Sequence, residues 1–100
     1  MNNNKVTQII KFSASWCGPC RVFADTFKKV SEMDEYKGIE FKSIDIENDE
    51  DGELMVEKYQ VRSVPTTVLA DENGDVIYKL MGNIPLKDFL DMINKALEDR

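Results

Sequence analysis

The chain has no histidine, two cysteines, three prolines and one tryptophan in 100 residues. Without histidine there is no imidazole general base, no His–Cys or His–Ser pairing and no His-ligated metal site. Apolar runs are only a few residues long, against about 20 needed to cross a bilayer, so no transmembrane span is expected. Met1-Asn2-Asn3-Asn4-Lys5 contains no apolar stretch of the kind a secretory leader needs, which makes the cytoplasm the expected compartment. Positive charge is also scarce: thirteen Lys and Arg face 19 Asp and Glu, a net charge of −6. An acidic surface argues against nucleic acid and against an anionic membrane as partners. No internal repeat or low-complexity tract occurs beyond the short Asn run.

What is present is ordinary for a globular protein, with 42% hydrophobic and 32% charged residues. The length fits a single domain over residues 1–100, expected as a monomer, and a chain of this size buries about 60–70% of its unfolded surface. Val6–Ala14 is rich in β-branched and aromatic residues and reads as a strand. Cys20–Met33 places Phe23, Phe27 and Val30 at helical spacing, with Val22 beside them. Ile39–Ile46 is a second strand, apolar on both faces as an interior parallel strand would be. Glu53–Tyr59 reads as a short helix, Thr66–Ala70 and Val76–Met81 as strands joined through Asn73-Gly74, a hairpin signal. Pro85 suits the first turn of a last helix whose Leu86, Phe89, Leu90, Ile93 and Leu97 share one face. The order β-α-β-α-β-β-α predicts an α/β fold: a four-stranded mixed sheet with helices on both faces and a right-handed first crossover.

Cys17 and Cys20, in Trp16-Cys17-Gly18-Pro19-Cys20, admit three readings. Zinc needs four ligands, and two thiolates without histidine fall short, so no metal site is expected. A structural staple across about four residues removes only about 2 kcal/mol of chain entropy, less than a longer loop would. The third reading is a redox dithiol, placed where a strand ends and a helix begins. There the unpaired N–H groups and the dipole favour a thiolate on Cys17, by about 1.5 pKa units at most. Cys17 is then the nucleophile and the exposed thiol, and Cys20, one turn in, the resolving thiol. Gly18 permits a tight turn, and Pro19 occupies a helix position with no N–H to lose.

Trp16-Cys17-Gly18-Pro19-Cys20-Arg21, Ile44-Asp45, Val64-Pro65-Thr66, Asn73-Gly74 and Gly82 together resemble the thioredoxin family over about Val6 to Leu97. The resemblance implies a three-layer thioredoxin-like fold and a dithiol-disulfide oxidoreductase that reduces disulfides in other proteins. The redox-active Cys17–Cys20 disulfide would be its only redox group, with no metal or organic cofactor. A thioredoxin-reductase-like electron donor would recharge it. By the same resemblance Pro65 is a cis-proline facing the cysteines. Val64, Pro65, Thr66 and Gly82 would hold an extended substrate chain, the Val64 backbone pairing with it and Gly82 letting it approach closely. Trp16 becomes an exposed wall of the site, and Trp16, Val64, Pro65 and Ile84 an apolar rim for docking. Rival readings are a thiol oxidant or isomerase, and a thioredoxin-fold binding subunit that does not use its thiols.

Two features depart from the family. Members commonly carry a strand and a helix before the first strand seen here, so Ile39–Ile46 is expected to become an edge strand, with Glu40 and Lys42 discouraging edge pairing. Lys11 stands where thioredoxins usually hold a buried Asp, and the position of that Asp's usual Lys partner is taken here by Phe41. Lys11 either snorkels to solvent or reaches Cys20 and alters its ionisation. The acidic run Glu47–Asp51 with Gly52 imitates a calcium loop, but Lys58 falls where the bidentate Glu is required. These acids are expected instead to flank and favour the N-terminus of the Glu53–Tyr59 helix.

Overall fold

The computed structural model describes residues 5–98, so the reading of Met1–Asn4 lies outside the described residues. The first strand, β1, spans Gln8–Ser13. Its side chains alternate between two buried faces: Ile9 packs with Phe23, Phe27, Leu69 and Phe89, while Ile10 and Phe12 pack with Tyr59 and Val68. Both of its edges are paired because β1 lies inside the sheet, and helices cover both faces. The strand order is β2-β1-β3-β4, with β2 at Glu40–Asp45, β3 at Thr66–Ala70 and β4 at Val76–Met81. The β1–β2 pair is parallel, and the β1–β3 and β3–β4 pairs are antiparallel.

Helices α1 (Gly18–Ser31) and α3 (Leu86–Glu98) cover the face of Ile9, while α2 (Gly52–Tyr59) covers that of Ile10. On α1 the buried stripe is Cys20, Phe23, Phe27 and Val30, whereas Val22 points to solvent. Phe23 meets Phe89 edge-on at 5.2 Å and Phe27 meets Phe41 at 5.5 Å, so aromatic rings fill the space between α1, α3 and the sheet.

Several boundaries shift. Helix α1 begins two residues earlier than its periodicity suggests, because Cys17 already caps it, and a short 3-10 turn at Asp34–Tyr36 follows it. The Tyr36 hydroxyl donates to Asn94 Oδ1 at 2.7 Å, tying that turn to α3. Pro85 precedes α3, its carbonyl accepting from the Phe89 N–H at 2.9 Å. Strand β2 is an edge whose positions are half-buried or exposed, against the interior reading of its pattern and in keeping with the expectation of an edge strand. Glu40 and Lys42 lie 3.9 Å apart along it. In the hairpin, Asp71 Oδ1 accepts from the N–H groups of Asn73 and Asp75, and Gly74 takes the positive φ that the turn requires.

Candidate active site

Strand β1 delivers the chain to Ala14, whose carbonyl accepts from the Cys17 N–H at 3.1 Å and so turns the chain into α1. Cys17 is the N-cap: its backbone is extended, and its Sγ accepts from the Cys20 N–H at 3.2 Å. The sulfur thus stands where a capping oxygen would, at the positive end of the helix dipole. Cys17 and Cys20 form a disulfide. Both are 4% exposed, because Ala14, Ile46 and Val64 pack over them. In the disulfide neither sulfur is open to solvent; the expectation of an exposed Cys17 concerns the reduced thiol. Pro19 sits within the first turn of α1, where no N–H is missed. Gly18 has no positive φ and open space around it, so its absent side chain bares the surface beside the disulfide and is not required by a strained turn.

The Val64–Pro65 peptide is cis, and the Val64 carbonyl oxygen lies 3.6 Å from Cys17 Sγ. Strand β3 begins directly after it. Pro65 and Thr66 are buried, and the Thr66 hydroxyl donates to the Ser63 carbonyl at 2.7 Å. Neither side chain is open to a substrate; Thr66 shapes the loop, and Val64 before them is half-buried. Gly82, φ +88, donates its N–H to the Pro65 carbonyl at 2.8 Å, and nothing stands within 4 Å of where its Cβ would be. The expected apolar rim shrinks in the same way. Trp16 is 64% exposed, but Pro65 is buried and Ile84 packs against the main core.

Trp16 is held by a residue that its sequence position does not suggest: the indole N–H donates to Glu47 at 2.8 Å, across 31 residues. Glu47 therefore fixes the ring and does not flank α2. Asp45, at the end of β2, accepts from the N–H groups of Glu47 and Asn48 and from the Asn48 side chain. The Asn48 amide foremost, then the two backbone N–H groups, hold its carboxyl below the ordinary value. Asp51, the N-cap of α2, makes no side-chain capping bond. The acidic run thus organises its own loop and the tryptophan more than it caps the helix. A small pocket of about 150 Å3 lies between Trp16, Ile46, Val56, Val61, Arg62 and Val64.

Lys11 is 7% exposed, its stem covered and its Nζ left at the edge of an open cleft. Its Nζ lies 5.2 Å from the Phe27 ring centroid, and desolvation holds its pKa below the ordinary lysine value. It lines, with Cys20, Ser13, Arg21 and Asp45, an open cleft of about 420 Å3.

The family model for thioredoxin matches residues 1–95. The chain belongs to the thioredoxin family. It is 37% identical to the mitochondrial thioredoxin of Bos taurus, over 95% of this chain and 54% of that protein. With Thioredoxin-1 of Caenorhabditis elegans the identity is 38% over 74% of this chain and 59% of the relative. With thioredoxin of Bacillus subtilis it is 35% over 86% and 78%. The chain thus spans little more than half the length of the two animal relatives. Its fold superposes on a mutant thioredoxin from Halobacterium salinarum with TM-score 0.78 at 26% identity, covering 98% of this chain and 80% of that one. Among the described residues, the four-stranded mixed sheet with three α-helices matches that thioredoxin structure.

Proposed function

We propose that this thioredoxin-family chain is a protein disulfide reductase that cycles between the Cys17/Cys20 dithiol and its disulfide. The observation that supports it is the disulfide itself, capping α1 with Cys17 Sγ and lying against the Val64 carbonyl. In the reduced state the Cys17 thiolate attacks a substrate disulfide, forming a mixed disulfide and expelling one substrate thiolate, which takes a proton. The Cys20 sulfur, its proton lost, attacks Cys17 Sγ, restores the Cys17–Cys20 bond and expels the second substrate thiol. Two electrons pass to the substrate, and no metal or organic cofactor is needed. The exposed Gly18-Pro19 surface and the Trp16 ring let a flexible protein segment reach the sulfur, and Val64 and Gly82 offer backbone on which it can lie. A reductase-type protein donor would return the dithiol, and the chain would act as a monomer in a reducing compartment, the cytoplasm.

The test is reduction of insulin disulfides by dithiothreitol. The chain should accelerate it, Cys17→Ser should abolish the acceleration, and Cys20→Ser should accumulate a mixed disulfide. No acceleration by the wild type refutes the reading. A reduction potential well above the cytosolic glutathione poise would instead make the chain an oxidant.

A further inference from the structure

Lys11 is a largely buried side chain whose ammonium makes no ion pair among the described residues. Among the described residues its Nζ has no hydrogen-bond or ion-pair partner, only the Phe27 ring. On its strand it pairs with Ser43 of β2 and Thr67 of β3, and the Thr67 hydroxyl is itself buried and unpartnered. Nothing in that row neutralises the ammonium. The charged and titratable groups lining the cleft with Lys11 are Cys20 and Arg21 from α1 and Asp45 from β2; β3, α2 and α3 add none. Arg21 is turned to the Ser15 carbonyl at 3.1 Å. Asp45 is engaged by the backbone and side chain of its own loop. Asp45 keeps its negative charge but is held by its own loop, so the cleft group whose charge is still to form is the thiol of reduced Cys20.

We propose that the Lys11 ammonium is the positive charge that draws Cys20 into its thiolate form when the mixed disulfide on Cys17 is resolved. The inference rests on the disulfide-reductase reading for its role, though not for its measurement. In the mixed disulfide the Cys20 S–H releases its proton to water in the open cleft. The thiolate is held by Lys11, attacks Cys17 Sγ, forms the Cys17–Cys20 bond and expels the substrate thiolate, which is protonated by solvent. Lys11 touches neither substrate nor the bond being broken; it is a positioning charge.

Removing such a charge should raise the Cys20 pKa by about one unit. Below that pKa the thiolate population falls about tenfold. The more basic sulfur is about threefold more nucleophilic, so resolution slows about threefold near neutrality. At high pH, with both forms ionised, the order reverses and the variant is the faster.

The experiment follows thiolate ultraviolet absorbance against pH in a Cys17→Ser background, where Cys20 is the lone thiol. Lys11→Met should raise the Cys20 midpoint by about one unit, and Lys11→Arg should keep it near that of the background. A midpoint unmoved by Lys11→Met, or an Arg variant no different from the Met variant, overturns the proposal. Should Lys11→Met fail to fold, reduced wild type answers the same question. The Lys11 Cε resonance must then move as Cys20 ionises, and a flat trace overturns the proposal. Insulin reduction by wild type separates the two readings. An inactive chain with a moving Cys20 midpoint refutes the reductase alone, and an active chain with an unmoved midpoint refutes the role of Lys11 alone.

Discussion

Gly52→Ala tests how α2 is seated against the end of the strand that carries Asp45. Gly52 is buried at the first position of α2. A Cβ there would lie 2.9 Å from the Ile46 carbonyl oxygen and 3.1 Å from that of Asp45. Both are backbone atoms, so relief requires α2 to move away from β2. Overpacking of this kind costs about 1–3 kcal/mol. Alanine restricts the unfolded chain and recovers about 0.4–1 kcal/mol. The net expectation is a loss of about 1–2 kcal/mol, a fall of roughly 5–15 °C in Tm for a domain of this size. Urea unfolding followed by circular dichroism measures it, with an unchanged m-value marking a loss of stability and not a change of unfolded state. The displaced segment includes Ile46 and abuts Glu47, so tryptophan fluorescence should shift too, as the Trp16–Glu47 bond adjusts. An alanine variant as stable as wild type, or more so, refutes the close-approach argument.

Lys79 donates from β4 to the carbonyls of Tyr59 and Gln60, both at 3.0 Å, closing the C-terminus of α2; Lys79→Met should lower stability by about 1 kcal/mol in the same assay. After reduction, brief alkylation near neutral pH with peptide mapping should label Cys17 about tenfold faster than Cys20, since only Cys17 caps the helix. Equal labelling would undo the division of roles. Lys11 has a folded pKa below its unfolded one, so the unfolded chain binds the proton more tightly. Stability should therefore rise as pH climbs from the folded value towards about 10.4. Lys11→Met should remove that rise and stabilise the fold by about 1 kcal/mol near neutrality, the lost Phe27 contact offsetting part of the gain. A Met variant less stable than wild type would show that the buried ammonium is not a burden.

The order of elements and the place of the cysteines were legible because they depend on neighbours in the chain. Period-2 and period-3.6 patterns mark β1, α1 and α3, and Asp71 and Gly74 close their turn through contacts within five residues. A thiol at a strand-to-helix junction announces its chemistry for the same reason: the helix N-terminus is a local field. The apolar pattern of β2 misled, because half-burial against α1 and α2 draws apolar residues to both faces of an edge strand as well.

Local patterns were thus enough to specify a small α/β chain with a Cys17/Cys20 pair at the start of its first helix. Tertiary structure decided what surrounds that pair. Glu47 reaches Trp16 across 31 residues, and Lys79 closes α2 from β4. Thr66 proves buried, and Lys11 sits among Phe27, Ser43 and Thr67 with no ion pair among the described residues. Such contacts follow from which strands pair and in what register, and a one-residue slip would turn Lys11 to the opposite face of β1. Local propensity does not encode register across the sheet, so the electrostatics beneath Cys20 existed only once the strands had met.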